Sequence, residues 1–313
     1  MRIFTYILSA ILVGWLLLII AQPYIFKLHQ GKATPPLLEQ RINYPFYDSG
    51  SLHYTTAIAV DNNGNVIIAD LNYRQIYKFS LDNTLIANWQ WQDIGPERDT
   101  GPTGLAVDDR GNIYAANFNG YPVVKIGVDG KILNHWGEGQ VQHTGGIALD
   151  TTGHVYVTDT TGNSVLKFSA RGKLLKQWGE FGEGAGQFYA PSSIAVDRAG
   201  HVYVGDFNNH RIQRFTAGGR FILEFYGEQK GTMSPHALAV DSAGRIYVAQ
   251  GRIQVYTPEG QHLTDIRVKS EYPGSLVQLV AVDKDDYIYT VADDHKDHGQ
   301  RIMKYAPVTA PAH

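Results

Sequence analysis

Residues 192–206 read SSIAVDRAGHVYVGD, and five other stretches of the chain align with this one without gaps. These stretches are 56–70, 103–117, 145–159, 236–250 and 278–292. Each of the six carries an aspartate at the same place, and successive aspartates are 47, 42, 47, 44 and 42 residues apart. Self-similarity at a period of roughly 40–50 residues indicates an architecture built from repeated structural units.

Each unit has the pattern of four strands. In the first strand a small alanine alternates with large aliphatic residues, as Ala195 does between Ile194 and Val196. Both faces of such a strand are apolar, which favours a sheet buried between two others. The first strand is followed by a turn glycine and a second strand that contains tyrosine. A third strand with an aromatic residue comes next, and another turn glycine leads to a fourth strand that ends near tryptophan. Four-stranded units repeated radially predict an all-β, six-bladed β-propeller. An open stack of sheets would leave two large apolar faces in water.

The sixth unit is incomplete. After Tyr305 the chain continues Ala-Pro-Val-Thr-Ala-Pro-Ala-His, which cannot supply a fourth strand. Residues 38–46 precede the first unit and have no partner of their own. We therefore predict that this N-terminal strand completes the last sheet and closes the ring without an exposed edge.

The first residues differ from the rest. Residues 3–21 contain no charged side chain, and as a helix they would span ~28 Å, about the thickness of the hydrocarbon core. A cleavable signal peptide is the alternative, but this apolar segment is longer than usual and lacks an A-x-A site. We predict a transmembrane anchor at 1–27, a linker at 28–37, the propeller at 38–307 and a tail at 308–313. The membrane would then be one partner, with the propeller periplasmic or extracellular.

Composition excludes several classes of protein. The 313 residues include no cysteine, so disulfide scaffolds and thiolate metal sites are impossible. The chain has 27 basic and 30 acidic residues. Without residues 1–32, which hold three basic and no acidic residues, the balance is 24 − 30, or −6. This balance argues against nucleic acid as a partner and favours a protein, peptide or small molecule.

Residues 191–215 resemble an NHL repeat, most clearly at Asn209-His210-Arg211-Ile212. The glycine-rich stretch 182–188 resembles the linker between such repeats. The resemblance implies a six-bladed propeller with one of three functions: a peptide-amidating lyase with an axial zinc ion, a lactonase or strictosidine-synthase-like enzyme with an axial metal, or a platform that binds protein, RNA or glycan. Fold alone does not choose between them.

The starts of the inner strands should meet around the propeller axis, where they form a ring of mostly small polar residues. The residues at these starts are Thr56, Thr103, Gly145, Ser192, His236 and Gln278. Carboxylates at the ends of the second strands could also face the axis, or could each fix the following loop. The candidate ligand-binding residues are Thr56, Thr103, Ser192, His236, Gln278 and Asp206.

The lyase resemblance implies zinc-binding Pro-His pairs at this ring, and only Pro235-His236 matches. His53 and His143 precede their own inner strands and could join His236 in a three-nitrogen site for a divalent ion, zinc or calcium. The alternative, which the residues favour, is that His53 and His143 are exposed loop residues. The sequence therefore favours a binding platform, with a metal-dependent lyase or lactonase-like hydrolase centred on His236 as the alternative.

Overall fold

The computed structural model describes residues 55–82, 84–91, 101–117, 121–227, 231, 233–267, 277–294 and 299–308. In these ranges the chain forms six antiparallel sheets, one for each sequence repeat, which we number blades one to six. The predicted membrane anchor, the linker and the closing strand at 38–46 lie outside the described residues. Within the described ranges, no helix is both long enough and apolar enough to span a bilayer.

The strands of each blade pair in sequence order, from the innermost to the outermost. Blade one contains β1 (Thr55–Val60), β2 (Val66–Asp70), β3 (Gln75–Phe79) and β4 (Leu85–Gln90). Blade two contains β5 (Pro102–Val107), β6 (Ile113–Asn117), β7 (Val123–Ile126) and β8 (Ile132–Trp136). Blade three contains β9 (Thr144–Leu149), β10 (Val155–Asp159), β11 (Ser164–Phe168) and β12 (Leu174–Trp178). Blade four contains β13 (Pro191–Val196), β14 (Val202–Asp206), a 3₁₀ turn (Phe207–Asn209), β15 (Arg211–Phe215) and β16 (Phe221–Tyr226). Blade five contains β17 (Ala237–Val240), β18 (Ile246–Ala249), β19 (Ile253–Tyr256) and β20 (His262–Ile266). In the described ranges, blade six contains β21 (Leu279–Val282), β22 (Ile288–Asp294) and β23 (Gly299–Tyr305).

The blades form a closed ring, which confirms the six-bladed propeller. Each inner strand contacts the inner strands of its two neighbours, and β21 of blade six contacts β1 of blade one. Within the described ranges the apolar core divides into six clusters, one between each pair of adjacent blades. In the cluster that closes the ring, Ile58 and Ile68 pack with Val291 and Ile302. Side-chain packing between blades one and six therefore joins the two ends of the repeat array.

The repeated aspartates close the hairpin between the first and second strands of each blade. Asp150 shows the arrangement: its carboxylate accepts bonds from the backbone N–H groups of Thr152 and His154, both at 2.9 Å, and from the Tyr156 hydroxyl at 3.1 Å. Burial opposes ionisation most strongly, but the hydrogen bonds from Thr152 and His154 outweigh it and lower the pKa of Asp150 to about 2. These carboxylates thus act as structural acceptors.

Aromatic residues near the ends of the outer strands of blades one to four pack against the next blade. Trp136 lies against the hairpin glycine of blade three, where a Cβ on Gly172 would come within 2.8 Å of the indole ring. The same arrangement pairs Trp89 with Gly130, Trp178 with Gly219 and Phe225 with Gly260. Gly172 also has a φ of +84°, so both its backbone conformation and the indole require glycine.

Candidate functional site at the propeller axis

β-bulges build the ring of residues around the axis. Thr55 pairs with Asp70 and Ala57 with Ala69, so Thr56 is an extra residue in β1. Thr103 in β5 and Ser192 in β13 are inserted in the same way. In β9 the two residues Gly145 and Gly146 take this place. A bulge redirects the side chain of the inserted residue, and here the inserted residues border the axis.

A cavity of about 90 Å³ lies on the axis between the inner strands. Its lining includes Thr56, Thr103, Gly145, Ser192 and His236, five of the six residues predicted at the strand starts. The remaining lining residues are glycine, alanine, serine, valine, leucine and isoleucine. Among the described residues, His236 is therefore the one titratable side chain on the wall of this cavity.

The hydroxyls of the ring connect neighbouring blades. Thr56 Oγ1 donates to the Pro102 carbonyl at 2.6 Å, which joins blade one to blade two. Ser192 Oγ donates to the Pro235 carbonyl at 2.9 Å and joins blade four to blade five. Blade three has glycine at this place, and Thr160 Oγ1 donates instead to the Pro191 carbonyl at 3.1 Å. The donors of these hydroxyls are used within the fold, and their oxygen lone pairs remain for a ligand.

His236 stands at the start of β17, where its backbone N–H donates to the Ala249 carbonyl at 3.2 Å. Its side chain is exposed, and the ring meets the Phe207 ring edge-on at a centroid distance of 5.2 Å. Enough of the chain surrounds the imidazole that desolvation lowers its pKa below the usual value of 6.5. The shift favours the neutral imidazole, which can donate one hydrogen bond and accept another.

The other candidate site residues lie elsewhere. Asp206 does not line the cavity: it is fully buried and accepts bonds from Tyr189 N–H at 2.8 Å and Arg211 Nε at 2.8 Å. Its position fits the loop-fixing alternative. Gln278 is exposed and is also absent from the cavity wall. His143 is half-buried, with Nδ1 at 2.6 Å from Thr161 Oγ1, and His53 lies outside the described residues.

A metal centre does not follow from the described side chains. In the described part of the chain, no three histidine, aspartate or glutamate residues are grouped to hold an ion. His236 alone offers one nitrogen ligand beside an uncharged wall, which is too few for a zinc or calcium site. Further ligands would have to come from residues outside the described ranges, such as His53.

A buried arginine organises the loop that leads to blade four. All five N–H donors of Arg211 are used: Nε bonds to Asp206, Nη1 to the Glu183 carbonyl and the Glu224 carboxylate, and Nη2 to the carbonyls of Gly184 and Gln187. Arg211 is only 2 % exposed. The glycine-rich linker is thus held by its backbone carbonyls, which an arginine fork is well shaped to do.

The same region gives the family match. Residues 188–215 match the family model of the NHL repeat. The match covers the first three strands of blade four. The residues that mark the NHL repeat in the sequence, Asn209 and Arg211, are therefore the ones that fasten the inter-blade loop. No curated protein sequence matches the chain.

Solved structures confirm the architecture around this NHL repeat. A gluconolactonase from Xanthomonas campestris has a TM-score of 0.62 and 14 % identity, covering 89 % of this chain and 99 % of its own. A virginiamycin B lyase from Staphylococcus aureus has a TM-score of 0.60 and 14 % identity, covering 87 % of this chain and all of its own. A streptogramin B lyase structure has a TM-score of 0.60 and 15 % identity, and the match covers 85 % of this chain and 96 % of the lyase chain. At these identities the likeness is one of fold.

Sequence reasoning missed two features of the axial site. Thr160 and Phe207 follow the second strands of blades three and four, outside the repeated pattern that guided the alignment. The bulges were also not anticipated. Proline immediately before the inserted residue, at Pro102 and Pro191, is a sequence signal for two of the four bulges, because proline lacks the N–H that regular pairing requires.

Proposed function

We propose that this protein is a binding platform whose ligand lies on the axial face and inserts one small group beside His236. The observation that carries the proposal is the cavity of about 90 Å³ with a single imidazole on an otherwise uncharged wall. Sites for whole drug-sized ligands are larger, roughly 300–1,000 Å³. Only a small part of a ligand fits on the axis, and the remainder would rest on the face.

The inserted group is uncharged in this proposal. Burial of an ion among glycine, serine and aliphatic residues would carry a large desolvation cost without a countercharge. Neutral His236 offers one donor and one acceptor, and the ring hydroxyls of Thr56 and Ser192 keep acceptor lone pairs. A hydroxyl, amide or carbonyl group fits this set, and the edge of Phe207 adds an apolar contact.

Ligand-observed saturation-transfer NMR with a library of neutral fragments tests the axial site on the full chain. We expect a set of fragments to bind wild-type protein and to lose their signal with His236→Ala. His143→Ala is the matched control, because this histidine lies just before the inner strand of blade three but is not on the cavity wall. Fragments that bind equally to wild type and His236→Ala, or no bound fragment at all, would remove the proposal.

We further propose that residues 1–27 anchor the propeller to a membrane and that the propeller faces the periplasm or the extracellular space. The support is the uncharged apolar segment at 3–21, long enough to span a bilayer as a helix. Carbonate extraction of membranes from expressing cells tests the anchor. We expect the full-length protein to stay in the membrane pellet, and its release into the supernatant would contradict an integral anchor.

An axial enzyme, a lyase or lactonase-like hydrolase, is the second candidate function. It is favoured by the lowered pKa of His236, which leaves the imidazole free to accept a proton at neutral pH. The structurally similar proteins include two lyases and a gluconolactonase. Metal analysis of the full chain separates the metal-dependent form from a platform. One equivalent of a divalent ion, lost in His236→Ala, would support the metal-dependent enzyme, and wild-type protein without an ion would exclude that form.

A further inference from the structure

Two aromatic rings stand in solvent on the loop that enters blade four. Phe181 is 65 % exposed and Tyr189 is 45 % exposed, and the two rings meet nearly at right angles at a centroid distance of 5.2 Å. Among the described residues, Phe181 is the most exposed large hydrophobic side chain. We call Phe181 and Tyr189 the aromatic patch. Exposed rings in contact with each other often mark an interaction site.

The loop below the patch is rigid. Arg211 holds the carbonyls of Glu183, Gly184 and Gln187. Asn209 Nδ2 donates to the Gly182 carbonyl at 2.8 Å, and Gln213 Oε1 accepts from Gly186 N–H at 2.8 Å. Phe188, fully buried, supplies the apolar anchor of the loop. The exposed rings are therefore not needed to fix the loop, and a partner would find them already ordered, which lowers the entropy cost of binding.

The negative charge of the loop around the aromatic patch favours a basic partner. The loop 179–190 contains Glu180 and Glu183, both exposed, and no lysine or arginine. The nearby Arg211 is buried and is paired with Asp206 and Glu224. An acidic loop repels nucleic acid and anionic lipid. Aromatic faces beside carboxylates attract a cation, most favourably the flat guanidinium of arginine.

The open shape of the aromatic patch favours a macromolecular partner over a small cation. About two thirds of the Phe181 surface faces solvent, so the patch cannot surround a small molecule as a concave site does. We propose that the aromatic patch docks a basic segment of a protein partner. An arginine or lysine side chain lies across Phe181 or Tyr189, with its charge next to Glu180 or Glu183. Neither ring lines the axial cavity, and the proposal does not depend on the function of that cavity.

Selection from a phage library of random dodecapeptides tests the proposal. The full chain is the bait, and the Phe181→Ala/Glu183→Gln double variant is used for counter-selection. We expect arginine and lysine to be enriched among peptides specific for wild type. One enriched peptide is then synthesised with a fluorescent label, and its binding is followed by polarisation. Phe181→Ala should weaken binding about fivefold or more, and citrulline in place of arginine should abolish it.

The control variants make the outcome decisive. Leu175→Ala removes another exposed apolar side chain, 45 % exposed on β12, and should leave peptide binding unchanged. His236→Ala should also bind as wild type does, which separates this surface from the axial site. Melting curves establish that each variant is folded. The proposal is overturned if no wild-type-specific peptide is found, if acidic or uncharged peptides are enriched, or if Phe181→Ala binds as tightly as wild type.

Discussion

Replacement of Arg211 by alanine should destabilise the propeller strongly. The change removes five hydrogen bonds at once and leaves the carboxylate of Asp206 fully buried without its cation. The carbonyls of Glu183, Gly184 and Gln187 each lose one donor, although Gly184 keeps the N–H of Gln187 and Gln187 keeps Nε2 of Gln213. Removal of one partner from a buried ion pair costs about 3–5 kcal/mol, and we expect about 4 kcal/mol here.

Urea unfolding of the full chain, followed by tryptophan fluorescence, measures this loss. With a slope of about 3 kcal/mol/M, a loss of about 4 kcal/mol lowers the midpoint by about 1.3 M. Arg198→Ala is the matched control: Arg198 is an exposed arginine of the same blade, and its loss should cost less than about 0.5 kcal/mol. Asp206→Asn in the Arg211→Ala background should recover part of the stability, because it removes the unpaired buried charge.

A result close to wild type would refute this reasoning. If Arg211→Ala lowers the free energy of unfolding by less than about 1 kcal/mol, the loop is held mainly by Phe188 and the turn geometry. A loss of equal size in Arg198→Ala would show that the effect belongs to any arginine in blade four rather than to the buried pair. Additive losses for Arg211→Ala and Asp206→Asn would mean that the two side chains do not act together.

Three further predictions follow from the inner strands. Gly146→Ala should lower stability by about 1–3 kcal/mol in urea unfolding, because its Cβ would lie 3.1 Å from backbone atoms of Ser193 and Ile194, which cannot move aside. Thr56→Val should cost about 1 kcal/mol in the same assay, because the Pro102 carbonyl loses its donor. The free energy of unfolding should fall as the pH drops from about 4 to 2. The pKa of Asp150 is about 2 in the folded chain and has the ordinary aspartate value of 3.8 in the unfolded chain, so the unfolded chain binds a proton first. In Asp150→Asn this acid-dependent loss should be smaller, as read from melting temperatures at a series of pH values.

Each of these predictions has a control or a contradicting outcome. Gly218→Ala places a Cβ no closer than 3.9 Å to another atom and should be nearly neutral. Gly146→Ala with wild-type stability would mean that the strands separate without cost. Thr56→Ser keeps the hydroxyl and should retain most of the stability that Thr56→Val loses. An identical pH profile for wild type and Asp150→Asn would argue against a proton taken up at Asp150 during acid unfolding.

The axial residues show how far a repeat alignment reaches. It placed Thr56, Thr103 and Ser192 at equivalent positions, and all three line the cavity. It placed Asp206 at the end of a second strand, but it could not show that this carboxylate is buried against Arg211 and Gln213. A periodic pattern records which residues share a position in a strand. It does not record which groups already have partners, because those contacts form only when neighbouring strands and loops pack together.

Sequence alone determined the number of blades and the four-strand pattern, because both follow from local alternation and a repeat of nearly constant length. Tertiary structure alone decided that the hydroxyls of the ring join one blade to the next and that His236 is the single ionisable group on the described cavity wall. The reason is that these contacts link residues about 40–50 positions apart in neighbouring blades, and they exist only when the ring has closed.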